Sequence, residues 1–90
     1  MKTILVVDDE RKIVDLAHDY LEHAGFLVRT AADGPTALEV VERHKPDLVV
    51  LDLGLPGLDG LDVTRRIRRD SNLPVIMLTA RDDEIGRAHV

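Results

Sequence analysis

The sequence predicts an α/β fold, an open and doubly wound parallel sheet, and two observations carry that expectation. Three short apolar runs, Ile4–Val7, Leu48–Leu51 and Val75–Leu78, are continuous rather than alternating, as in strands buried on both faces. The segments between them repeat their apolar residues at helical spacing, and strands alternating with helices build parallel sheets through right-handed crossovers. The runs are too short to be buried helices.

The elements follow in order. The first strand runs into Asp8-Asp9-Glu10. Beyond it Ile13, Leu16, Ala17, Tyr20, Leu21 and Ala24 form one apolar stripe at i, i+3, i+4, i+7, i+8 and i+11. Asp9 is expected to cap that helix and Gly25 to end it in the left-handed conformation. Phe26–Ala31 reads as a less uniform strand, nearer an edge. A second helix is expected from about Gly34 to His44, with Ala37, Val40 and Val41 inward, stopped by Pro46. The third strand ends at Asp52, and a loop follows in which Pro56-Gly57 suits a type II turn and Asp59 a helix cap. The third helix, from about Asp59 to Arg69, sets Leu61, Thr64 and Ile67 on one side and Arg65, Arg66, Arg68 and Arg69 on the other. Those arginines read as a solvated face rather than a DNA contact, because no other element concentrates positive charge. The fourth strand closes on Thr79, and Arg81-Asp82-Asp83-Glu84-Ile85 looks like the start of a fourth helix.

Composition narrows the class. Ninety residues at 44% hydrophobic content make one small domain with a core. Seventeen acids against 12 bases leave a net charge of −5, the wrong sign for a nucleic-acid surface. The absence of cysteine excludes disulfide scaffolds, thiolate zinc sites and thiol chemistry. No apolar run approaches the roughly 20 residues of a membrane span, and Asp8, Asp9 and Glu10 interrupt anything resembling a signal peptide. Tyr20 and Phe26 are the only aromatic residues, too few for base stacking or a flavin sandwich. An acidic, cytoplasmic single domain is the expectation.

In an open parallel sheet, functional groups gather at the carboxyl ends of the strands, beside the point where strand order reverses. Asp8 and Asp9 follow the first strand and Asp52 the third, with the Thr79 hydroxyl at the same rim. With strand order 2-1-3-4 the three acids converge in one shallow pocket. Helix capping accounts for an acid at Asp9 but not at Asp52, which precedes a loop. Two carboxylates 4 Å apart repel by about 4 kcal/mol at an effective dielectric of ~20, so such a cluster is best explained by a bound cation. An all-oxygen, water-accessible site favours Mg²⁺ over Ca²⁺. The pattern favours a metal site over a purely structural cluster. Gly54 leaves the backbone near Asp52 unobstructed, so that its carbonyl can face an ion.

Three motifs at their proper spacing make the resemblance specific. Ile4-Leu5-Val6-Val7-Asp8-Asp9-Glu10, Pro46-Asp47-Leu48-Val49-Val50-Leu51-Asp52 continuing through Leu53-Gly54-Leu55-Pro56-Gly57-Leu58-Asp59-Gly60, and Pro74-Val75-Ile76-Met77-Leu78-Thr79-Ala80 resemble the receiver domain of two-component response regulators. The likeness is colinear from residue 2 to about residue 85, and its flavour is that of receivers followed by a winged-helix DNA-binding domain. The resemblance implies a flavodoxin-like fold and makes Asp52 the phosphoacceptor. It assigns Mg²⁺ to Asp8, Asp9, Asp52 and the Gly54 carbonyl, with Asp9 the more direct ligand and Asp8 acting largely through water. Thr79 becomes the switch hydroxyl, and a histidine kinase the phosphodonor. DNA would be reached only through an effector domain outside these residues.

The resemblance also implies parts that the sequence does not contain. Receivers of this kind continue through a fifth strand, with a lysine that touches the phosphoryl oxygens, and a fifth helix. Residues 1–90 are therefore expected to be an incomplete receiver ending in or just after the start of the fourth helix, with self-association through the exposed edge of the fourth strand. The alternative function is a Mg²⁺-dependent phosphatase or phosphotransferase with an aspartate nucleophile. Such enzymes usually carry a second acid two residues after the nucleophile, where this sequence has Gly54. A phosphoacceptor that is not a turnover enzyme is the preferred expectation. A P-loop enzyme is excluded because no G-x-x-x-x-G-K-[ST] occurs. His18, His23, His44 and His89 show no metal-ligand spacing and read as surface residues.

Overall fold

The computed structural model describes residues 1–52 and 60–78, and within them strands and helices alternate. The order is β1 (Thr3–Val7), α1 (Arg11–His23), β2 (Leu27–Ala31), α2 (Gly34–His44), β3 (Leu48–Asp52), α3 (Gly60–Asp70) and β4 (Val75–Leu78). All pairings are parallel and the sheet order is β2-β1-β3-β4, as the sequence predicts. The reversal of strand order lies between β1 and β3. In register, Val7 pairs with Ala31 on one side and Leu51 on the other, so β1 and β3 end side by side.

The core fills the face under α2 and α3. Leu5, Val7, Val49 and Leu51 point into it from the two central strands, and Ala31, Ala37, Val63 and Ile67 close it. Truncating such a residue costs roughly 2–5 kcal/mol through lost transfer energy and a cavity. Ala37 is buried as expected, and Val40 and Val41 pack against the cluster.

Two helices differ from their predicted faces. In α1 the stripe divides: Ala17 and Leu21 are half-buried, while Ile13, Leu16 and Tyr20 are exposed. The helix packs chiefly on β1 and β2, and the part of its stripe turned to those strands is the part covered. In α3 it is Val63, with Ile67, that reaches the core, and Leu61 is exposed. Thr64 donates its hydroxyl to the Gly60 carbonyl at 2.9 Å, and its flank lies at the margin of the contact. The four arginines of α3 are exposed, and Arg65 pairs with Asp62 at 3.0 Å.

The helix ends explain their boundaries. Gly25 adopts φ 98°, where its N–H donates to the Glu22 carbonyl and that of Phe26 to the Leu21 carbonyl. This paired bonding satisfies the last carbonyls of α1 and requires the left-handed residue predicted there. At the start of α2 the Asp33 side chain accepts from the Thr36 N–H at 2.8 Å, and Pro35 occupies the first turn, where its missing N–H costs nothing. Among the described residues no helix is long and apolar enough to cross a membrane.

Candidate functional site

Asp8 and Asp9 leave the carboxyl end of β1, and Asp52 is the last residue of β3. Since β1 and β3 are neighbours in register, the three carboxylates meet: one oxygen from each lies within 4.8 Å of the others. Their settings differ. Asp52 is 4% exposed, Asp8 half-buried and Asp9 open to solvent.

The predicted cap of α1 is corrected here. Glu10, not Asp9, is the N-cap residue, and its side chain makes no capping bond. Asp8 instead accepts from the Glu10 N–H at 2.9 Å. That bond turns the chain out of the strand and leaves the Asp9 carboxylate unused by the helix. The acid expected to serve structure is the one left available for a ligand.

Carboxylates this close repel one another. Burial pushes the Asp8 carboxyl above the ordinary value of 3.8, the Glu10 N–H bond opposes it, and the charges of Asp52, Asp9 and Glu10 add to the rise. Repulsion among carboxylates is the cost of keeping three of them together. A divalent ion would reverse it, and three hard oxygen donors suit Mg²⁺ or Ca²⁺ rather than a soft metal.

An open cleft of about 700 Å³ borders Asp8 and Asp9, lined among others by Arg11, Asp33 and Thr36. It gives access from solvent beside Asp8 and Asp9. A second groove, about 750 Å³, lies between α2 and α3 and contains none of the three acids. Thr79 and Gly54, the other predicted site residues, lie outside the described residues, as do Asp59 and the segment expected to begin a fourth helix. Of the described histidines, His23 and His44 are exposed and His18 half-buried, and none joins the acid cluster; His89 lies outside the described residues.

Sequence inspection missed two local features, one at each end of α2. Asp33 caps α2, a role signalled by Asp-Gly-Pro-Thr at a helix start. Lys45 takes the left-handed C-cap position of α2 at φ 47°, for which no sequence signal exists beyond the following Pro46.

Comparison with known proteins agrees with this geometry. The family model of the response regulator receiver domain matches residues 4–90. The alkaline phosphatase synthesis transcriptional regulatory protein PhoP of Bacillus subtilis (strain 168) is 49% identical over 87 residues, covering 96% of this chain and 36% of that protein. The chain thus spans about a third of the length of this curated relative. The response regulator protein TrrA of Thermotoga maritima, solved in complex with Mg²⁺-BeF, superposes with a TM-score of 0.85 at 40% identity, covering 92% of this chain and 73% of that one. TrrA solved in complex with the histidine kinase ThkA gives 0.84 at 42% identity, over 89% and 70% of the two chains.

Proposed function

The chain belongs to the response regulator receiver domain family, and from that premise we propose that Asp52 accepts a phosphoryl group from a histidine kinase at a Mg²⁺ site formed with Asp8 and Asp9. The observation that carries the proposal is the convergence of three carboxylate oxygens within 4.8 Å at the ends of adjacent strands. Asp52 is the acceptor because it is the buried member, held at the end of a central strand. Asp8 is engaged with the Glu10 N–H and Asp9 faces solvent, positions suited to a hydrated ion. The kinase as donor is supported by the TrrA–ThkA complex, and Mg²⁺ by TrrA with Mg²⁺-BeF.

The step is a transfer between nucleophiles. A carboxylate oxygen of Asp52 forms the new bond to phosphorus, the P–N bond of the donor phosphohistidine breaks, and the imidazole departs with that electron pair and takes up a proton. Mg²⁺, when bound, neutralises the charge on the transferring oxygens. The chain's own residues position the acceptor: the β1–β3 register fixes Asp52 beside Asp8 and Asp9, and burial shields its carboxylate from bulk water. The Gly54 carbonyl as a further ligand and the Thr79 hydroxyl as the switch rest on the family motif.

The product is a signalling state rather than a turnover intermediate. A transcriptional output through a DNA-binding effector domain is supported by the likeness to PhoP, and a cytoplasmic location belongs with it. Self-association on the β4 side of the sheet is supported by Ile76, Met77 and Leu78, each more than two-fifths exposed.

The test is incubation with acetyl phosphate and Mg²⁺ followed by intact-mass measurement. One stable phosphoryl adduct is expected, absent with a chelator and absent in Asp52→Asn. Steady phosphate release at enzymatic rates would replace this function by a phosphatase, and an adduct mapped to Asp59 would overturn the acceptor.

A further inference from the structure

The groove of about 750 Å³ is lined wholly by α2, α3 and the two connections that follow them. Both helices end where β3 and β4 begin, so the groove opens at the end of the sheet away from Asp8, Asp9 and Asp52. Its volume lies within the roughly 300–1,000 Å³ of small-ligand sites. The floor is apolar: Ile67 belongs to the core, and Leu38, Val41 and Leu73 pack half-buried against it. The Ser71 hydroxyl donates to the Ile67 carbonyl at 3.2 Å and accepts from the Leu73 N–H at 3.3 Å, which holds the turn at one side.

The two walls carry opposite charge. Glu39 and Glu42 on α2 and Arg66 and Arg69 on α3 all line the groove and are exposed. Residues at i and i+3 share a helix face, so each wall presents a pair of like charges. Among the described residues none of these four side chains forms an ion pair, either across the groove or along its own helix. The other charges of the lining are already engaged. Lys45 Nζ donates to the Glu42 carbonyl at 3.3 Å, and Asp47 accepts from the Thr3 N–H at 2.8 Å. Arg65 and Arg68 lie outside the groove, and Arg65 pairs with Asp62.

A simple anion would face Glu39 and Glu42, a simple cation would face Arg66 and Arg69, and a purely apolar molecule would use neither wall. We propose that the groove binds short apolar peptides with free termini. The ammonium lies toward Glu39 and Glu42, the carboxylate toward Arg66 and Arg69, and the aliphatic side chains rest on Leu38, Val41, Ile67 and Leu73. Packed helices lie about 8–10 Å apart, and three extended residues span about 10 Å, so a tripeptide reaches from wall to wall where a single amino acid does not. Guanidinium forks suit the carboxylate end, which they bind through paired hydrogen bonds. The site contains none of the three acids and is independent of phosphoacceptance by Asp52.

Calorimetric titration of the chain with leucyl-alanyl-leucine, with amide shifts mapped by NMR and circular dichroism as a control for folding, tests the site. Saturable binding is expected at or below millimolar peptide, with the largest shifts at Leu38, Glu42, Ile67 and Leu73. Glu39→Gln combined with Glu42→Gln, and Arg66→Gln combined with Arg69→Gln, should each raise Kd about fivefold. Arg65→Gln combined with Arg68→Gln removes the same charge from the same helix outside the groove and should leave Kd unchanged. N-acetylation of the peptide should weaken its binding to the wild type but add nothing in the glutamate variant, and C-terminal amidation should behave likewise with the arginine variant. Absence of saturable binding overturns the site. Binding that survives both groove substitutions, or that falls equally with Arg65→Gln and Arg68→Gln, overturns recognition of the peptide by its two charged ends.

Discussion

Asp47 and Thr3 bond to each other twice: the Thr3 N–H donates to Asp47 Oδ2 at 2.8 Å, and the Asp47 N–H donates to the Thr3 carbonyl at 2.7 Å. The pair lies where β1 and β3 begin, at the opposite end of the sheet from the acid cluster. It sets the register that brings Asp8 and Asp52 together five residues further along each strand. Asp47→Ala removes one of the two bonds and should cost about 1 kcal/mol, a fall of roughly 4–8 °C in Tm. Asp47→Asn preserves an acceptor oxygen and should cost less. Calorimetric Mg²⁺ titration should find Asp47→Asn close to wild type and Asp9→Asn and Asp52→Asn without binding. Equal loss in all three would mean that net charge, not the cluster, attracts the ion.

Removing a repelling acid should stabilise the metal-free protein. Asp8→Asn preserves an oxygen for the Glu10 N–H while deleting the charge that burial and neighbouring carboxylates disfavour. The folded-state pKa of Asp8 is raised, so its contribution to stability is greatest below the unfolded value of 3.8 and is lost as pH rises through the folded value. The variant's advantage in urea unfolding should therefore be present at neutral pH and vanish in acid. Saturating Mg²⁺ should reverse the order by stabilising the wild type through binding. No gain at neutral pH without metal would refute the repulsion.

Asp33 titrates in the opposite sense. Its bond to the Thr36 N–H holds the carboxyl below 3.8, so the stability it contributes is full above that value and lost as pH falls through the folded value. Asp33→Asn retains a capping oxygen without a titrating charge. Unfolding curves should show the wild type ahead at neutral pH, with the difference closing in acid. Asp33→Ala should be weaker than both at neutral pH, and a pH-independent gap between wild type and Asp33→Asn would exclude charge as the cause.

Lys45 occupies the left-handed region at φ 47°, a conformation that costs an L-residue about 1 kcal/mol or more. Lys45→Gly relieves that strain, partly offset by the entropy glycine loses on folding. A gain of up to about 1 kcal/mol is expected. Lys45→Ala, which retains the strain and loses the contact of Lys45 Nζ with the Glu42 carbonyl, should show no gain. Identical behaviour of the two variants in chemical denaturation would exclude backbone conformation as the cause.

The sequence by itself determined where the strands and helices lie, because hydrophobic periodicity is a local property. Ile4–Val7 and Leu48–Leu51 are apolar whatever they pair with, and Gly25 ends α1 through its own conformational freedom. It also set Asp8, Asp9 and Asp52 at strand ends, and the family motif supplied their roles. Tertiary structure decided their meeting, which requires β1 and β3 to be neighbours, and assigned the contact with Glu10 to Asp8. It alone decided which part of an apolar stripe is buried. Ile13, Leu16 and Tyr20 share the periodicity of Ala17 and Leu21, yet they are exposed because the side of α1 that packs on β1 and β2 is the one carrying Ala17 and Leu21. The Asp47–Thr3 pair was equally out of reach, since its partners stand 44 residues apart and only the completed register makes them neighbours.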